Sequence, residues 1–196
     1  MADSGSRAQG AAKVRVGGSL HRLLNTGAVV LVSSSSGSRR TLLTVAWQMP
    51  VSMEPPIVAV SVGNERYSHE VIAEARGFVI NLPSLENLDL VWKAGIVSGR
   101  DGDKFDALGL SPGLSPHLGL PVLDECPAWI ECETHSSTDV GDHTVFFGRI
   151  LEAREEPGFF SERLRVESGA RLLHHLGGRW FHTPGPLVEA EGASEE

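Results

Sequence analysis

The stretch TLLTVAWQMPVSMEPPIVAVSV (41–62) decides the architecture. TLLTVAW (41–47) and PPIVAVSV (55–62) are apolar and rich in β-branched residues over the length of a strand. The two prolines of the second segment stand at its entry, where a missing N–H costs least. Outward from there, AVVLVSSS (28–35) is a further strand that runs into a turn at SGSRR (36–40). FVINLP (78–83) is a strand closed by Pro83, and WIECETHSST (129–138) and HTVFFGRILEARE (143–155) alternate as strands around the turn signal GDH (141–143). Helical spacing is confined to three places. SHEVIAEARG (68–77) has Ser68 as an expected N-cap and Gly77 as an expected C-cap. SLENLDLVWKAGIVSG (84–99) sets Leu85, Leu88, Val91 and Trp92 on one face, and SERLRVESGARLLHHL (161–176) is the last candidate. These helices do not separate the strands in βαβ order, so a doubly wound sheet is disfavoured. A mainly β closed or split barrel with flanking helices is the expectation.

Length and composition place limits on the rest. The 196 residues suit one domain, and 41% hydrophobic with 21% charged residues is an ordinary globular balance. Residues 1–16 are small and polar and are expected to be loosely attached. The domain is expected over 17–185, with an acidic tail at 186–196. A net charge of -8 disfavours nucleic acid and anionic membrane surfaces as partners. No apolar run is long enough for a membrane-spanning helix, and the N-terminus lacks the apolar core of a signal peptide, so a cytoplasmic location is expected. Cys126 and Cys132 are read as thiols, Cys132 as a small core residue. No histidine or cysteine pair has ligand spacing, and adjacent His174 and His175 on a helix would point apart, so no metal site is expected.

The familiar catalytic signatures are absent: no GxGxxG after a strand, no Walker loop, no HExxH, no GxSxG, and no complete calcium loop in VSGRDGDKF (97–105). Four stretches remain, and each has a structural reading beside a functional one. Thr41, Thr44 and Trp47 belong to a buried strand with satisfied hydroxyls, or to a backbone edge that binds a flat heterocycle. Arg66 and Ser68 in SVGNERYSHE (61–70) form an ordinary helix start or a phosphate site. Gly99 and Gly102 relax the backbone of VSGRDGDKF (97–105), and Arg100 and Lys104 there make a charged surface turn or a second clamp on an anion. His143 is structural, or hydrogen-bonds a ligand or relays a proton.

Taken in order, TLLTVAWQMPVSMEPPIVAVSV, RYSHEVI, FVINLPS, VWKAGIVSGRDGDKF, PAWIEC and VGDHTVFFG resemble the flavin reductase-like family of FMN-binding split barrels, especially its flavoredoxin-type branch. The resemblance covers about residues 20–155. It implies a Greek-key barrel of six strands and a homodimer with FMN near the subunit interface. By matching position, Thr41, Leu42, Thr44, Val45, Ala46 and Trp47 would lie along the flavin ring and Ser61 and Val62 below it. Arg66, Ser68, Ser98, Gly99 and Lys104 would surround the phosphate. His143 would stand on the side where a nicotinamide stacks, and Phe181 or Trp180 would close the site. Arg39 and Arg40 offer further cations, with a solvated turn as the alternative. The implied activity is hydride transfer from NADH or NADPH to flavin, with reduced flavin passed to a partner monooxygenase. The alternative is an FMN electron carrier, or a flavoenzyme that does not use nicotinamide directly.

Overall fold

The computed structural model describes residues 20–24, 27–161, 163–166 and 170–187. Residues 1–16 lie outside these, as does the expected acidic tail apart from Pro186 and Leu187. Among the described residues, eleven strands and three α-helices follow in the order β1 (Val30–Ser36), β2 (Arg39–Val45), β3 (Gln48–Met53), β4 (Pro56–Gly63), α1 (Tyr67–Glu74), β5 (Gly77–Leu82), α2 (Leu88–Ile96), α3 (Lys104–Leu108), β6 (Gly113–Leu114), β7 (Pro121–Val122), β8 (Ala128–Val140), β9 (His143–Glu155), β10 (His174–Gly177) and β11 (Trp180–His182).

Seven strands form one sheet in the order β2-β1-β5-β8-β9-β4-β3, antiparallel throughout. The two outermost strands, β2 and β3, are separated in sequence by only Ala46 and Trp47. A sheet whose opposite edges are joined by two residues must curl round to bring them together, which makes the mainly β barrel expected from the sequence. The strand β3 was not expected. Its residues are mostly exposed, it holds Pro50, and its register slips between Pro50 and Ser52, all features of an edge strand that leave no apolar alternation to read.

Strand alternation divides the core into two layers. Val30, Val32, Leu43, Val45, Val60, Val62, Phe78, Ile80, Cys132 and Phe146 fill the barrel, and Ile72 of α1 plugs one end. Val29, Leu31 and Leu42 point the other way and pack with Val91, Ala94 and Phe105 of α2 and α3. Burial pushes both the Cys126 and Cys132 thiols up to about 12, so they stay protonated core residues.

The helix expected over 161–176 does not form in its described residues. Its second half is extended: Leu172 bridges to Ser84, the Leu173 carbonyl accepts from the Val29 N–H, and His174 opens β10. Backbone partners at the entry to β1 override the helical spacing. The ends of α1 also differ from expectation. Arg66, not Ser68, is the N-cap residue and supplies no side-chain bond, while Gly77 starts β5. At Gly77 a Cβ would lie 2.1 Å from the Cys132 carbonyl oxygen, so this glycine is set by strand approach rather than by a helix cap.

Candidate functional site

Three adjoining cavities of about 260, 170 and 200 Å³ lie along the outer side of β2. They form one bent groove, because the first two share Leu43 and Arg66, the first and third share Thr44, Ala46 and His175, and Gly95 borders all three. Gly95 lies inside α2, where a side chain is normally preferred. A Cβ there would meet Thr44 at 3.5 Å and occupy the junction, so the glycine keeps the groove continuous.

The wide end is built on the link between β2 and β3. β2 is a sheet edge, and Ala46 and Trp47 lie outside both ladders, which leaves main-chain groups facing a ligand rather than a neighbouring strand. The Trp47 carbonyl accepts from the Ser61 N–H at 2.9 Å, tying the link to β4. Ser61, Val62 and Gly63 line the opposite side. The half-exposed Trp47 ring stands between two imidazoles, His143 at 4.8 Å and His21 at 5.3 Å between centroids. His143 is the first residue of β9, opposite Gly63, and its Nδ1 lies 2.7 Å from an Asp142 carboxylate oxygen. That bond holds the Asp142 carboxyl below its usual range and orients the ring, with Nε2 3.6 Å from where a Cβ on Gly63 would be.

The narrow end is a cationic cradle. The first residue of α3, Lys104, is only 4% exposed, and its Nζ donates to the Ala94 carbonyl at 2.8 Å near the C-terminal end of α2. Burial, and then the neighbouring Arg66, bring its pKa down from 10.5 to about 8. Among the described residues, no carboxylate lies within ion-pair distance of Lys104 or Arg66. Two cations, one of them buried, therefore face a pocket with no neutralising carboxylate among the described residues. Ser68 is 2% exposed and accepts from Thr41 Oγ1 at 2.6 Å, which leaves its own proton for a ligand. Ser98 and Gly99 complete the wall together with the N-terminus of α1. Gly99 packs on the Tyr67 ring so closely that a Cβ would fall 2.3 Å from it. A ribityl phosphate matches this donor set in charge and size, and the wide end matches a flat ring system.

Thirteen of the residues expected around the flavin line this groove: Thr44, Val45, Ala46, Trp47, Ser61, Val62, Arg66, Ser68, Ser98, Gly99, Lys104, His143 and Phe181. Thr41 and Leu42 do not. Leu42 faces the α2–α3 layer with Leu31, and Thr41 is sealed under α1, acting on the groove only through Ser68. Trp180 does not line it either, being 65% exposed. The cations Arg39 and Arg40 are turned away, Arg39 toward Glu74 and Arg40 toward Asp103 and Asp106. Arg100 borders the cradle but is engaged by Glu70. Leu43, within the stretch 41–47 expected along the ring, also lines the groove, as do His21, Arg22, Gly63, Gly95, His175 and Gly177, which were not anticipated. Gly95 had a signal, a glycine inside a helical pattern. His175 was hidden by the helix expected over its segment.

A model of the flavin reductase like domain matches residues 21–177. The uncharacterised protein YddH of Escherichia coli is 37% identical over 86% of this chain and 93% of its own. The NADH-dependent FMN reductase AsuE2 of Streptomyces nodosus is 32% identical over 79% of this chain and 77% of its own. Among solved structures, an FMN-binding protein from Thermus thermophilus, with cyclohexenone bound, superposes with a TM-score of 0.78 at 27% identity, covering 92% of this chain and 99% of that one. Component B of nitrilotriacetate monooxygenase from Bacillus cereus shares the fold, with a TM-score of 0.82 at 16% identity over 92% of this chain and all of that one.

Proposed function

The chain belongs to the flavin reductase-like family, and on that footing we propose that it is an FMN-dependent oxidoreductase that takes hydride from NADH or NADPH. The observation that carries the reading is the buried Lys104, set beside Arg66 with no carboxylate partner among the described residues, at the end of a groove whose other end is walled by the β2–β3 link, Trp47 and His143. Bound FMN supplies the hydride and electron chemistry, which is why no protein nucleophile is required.

The residues of the chain bind, orient and screen. Lys104, Arg66 and the Ser68 hydroxyl hold the phosphate, with Ser98 and Gly99 closing round it. Main-chain groups from Leu43 to Trp47 hold the ring edge, and Ser61 and Val62 support it from below. His143, oriented by Asp142, positions the nicotinamide amide beside Trp47. Phe181 and His175 close the side of the groove.

The unit that does this spans residues 17–185. Met49, Val51 and Met53 of the edge strand β3 are 56%, 45% and 93% exposed. We place a homodimer contact there, beside the flavin groove. Two unpaired thiols fit a cytoplasmic setting. Reduced flavin leaving the open groove would serve a flavin-dependent monooxygenase. The enzyme test is NADH and NADPH oxidation with and without added FMN: FMN-dependent turnover of either supports the proposal, and none with either sinks it.

A further inference from the structure

The cradle that holds the phosphate end of the groove has a cross-brace at its rim. Arg100, in the loop between α2 and α3, donates to the Glu70 carboxylate of α1 and to the Glu65 carbonyl at 3.4 Å. Its guanidinium lies 6.0 Å from the centre of the Tyr67 ring, and the same ring is packed against Gly99. Arg100, Glu65, Tyr67 and Gly99 are all walls of the small cavity that has Lys104 at its base. The loop is thus pinned to α1 by charge, hydrogen bond and ring contact, and the half-exposed Arg100 side chain sets that pin on the solvent side of a cavity whose base is the buried Lys104. Arg66 and Lys104 already provide positive charge within, with no ion-pair partner among the described residues, so Arg100, engaged by Glu70, is not needed as a further anion ligand.

We propose that the Arg100–Glu70 brace makes the site selective for a terminal phosphate monoester, so that it takes FMN and disfavours a flavin whose phosphate continues into a nucleotide. The inference rests on the flavin reading above. FAD must carry its adenylate out past Arg100, and seating it requires the ion pair and the cation–π contact to open. Two exposed contacts of this kind are each modest, so the selectivity they confer is about ten-fold rather than absolute. Their loss should weaken discrimination without weakening attachment of the monophosphate.

The test is to titrate flavin-free protein with FMN, FAD and riboflavin, following quenching of flavin fluorescence, for wild type, Arg100→Ala and Glu70→Gln. Both substitutions are at the surface and leave Lys104, Arg66 and Ser68 in place. The expected result is an FMN preference over FAD of about ten-fold in wild type that falls to about two-fold or less in both variants, with FMN and riboflavin affinities nearly unchanged. Equal affinity for FMN and FAD in wild type overturns the proposal. A parallel loss of FMN and FAD in Arg100→Ala also overturns it, because Arg100 would then be a direct phosphate ligand. Wild type that binds none of the three flavins sinks the flavin reading itself along with the brace.

Discussion

Replacing Lys104 by methionine should make the flavin-free protein more stable and abolish its hold on phosphate. The ammonium is buried, and its pKa falls from 10.5 to about 8 through desolvation and the nearby Arg66. A displacement of that size corresponds to about 3 kcal/mol against the charged form at neutral pH. Methionine keeps the aliphatic length but gives up the hydrogen bond to the Ala94 carbonyl, worth about 1 kcal/mol. The net expectation is that Lys104→Met is more stable by about 2 kcal/mol at pH 7. The advantage depends on pH. Below about 8 the folded protein carries the buried charge at full cost. Between about 8 and 10.5 the folded amine gives up its proton before the unfolded one does, so wild-type stability rises through that window. Urea unfolding of flavin-free wild type and variant at pH 7 and pH 10 measures this directly: the advantage of the variant should shrink or vanish at the higher pH. A variant that is less stable by the same amount at both pH values would refute the reasoning, since Lys104 would then be an ordinary packed residue.

Other positions give independent checks. Gly99→Ala places a methyl 2.3 Å from the Tyr67 ring, so FMN affinity should fall about ten-fold while riboflavin affinity holds, and unchanged FMN titration would count against the cradle. Thr41→Val removes the proton donated to Ser68, a loss of about 1 kcal/mol, read as a drop in FMN affinity of about five-fold; an effect on riboflavin of equal size would argue that the barrel itself had been damaged. His143→Ala should raise KM for NADH about ten-fold with FMN affinity intact, and a loss of FMN binding with KM unaltered would contradict the assignment of His143 to the nicotinamide. Gly77→Ala puts a Cβ against the Cys132 carbonyl across β5 and β8, so Tm should fall by about 10 °C; calorimetry showing no change would mean the strands are not packed as described.

The strands could be read from the sequence because the barrel wall obeys a local rule: Val30, Val32, Leu43, Val45, Val60 and Val62 alternate with residues that meet the helices or solvent. Two elements broke that rule for physical reasons. β3 has no buried face, so its edge pairing leaves no trace in hydrophobicity. The segment through Leu172 and Leu173 has helical spacing of leucines, yet its backbone is claimed by Ser84 and Val29, a long-range choice that local propensity does not register. The groove follows the same division. The β2–β3 link and the loop at 97–105 carry recognisable sequence, so Trp47 and Lys104 could be singled out, and both line the groove. Thr41 and Leu42 were expected along the ring largely through main-chain contacts; their side chains turn away from the groove, because matching a word does not say which side of a strand each letter faces. His21, Arg22 and His175 come from segments far apart in the chain and meet only after folding.

The account stands or falls on whether the groove holds a flavin that nicotinamide reduces. The direct measurement is the absorption spectrum of the protein loaded with one equivalent of FMN and freed of excess by gel filtration, followed under anaerobic conditions while NADH and then NADPH is added. The account predicts flavin bands that travel with the protein, shifted from free FMN by the Trp47–His143 end of the groove, and that bleach on addition of one or both nicotinamides. Bands that elute wholly with the small molecules, or that stay with the protein and resist both NADH and NADPH, would contradict it.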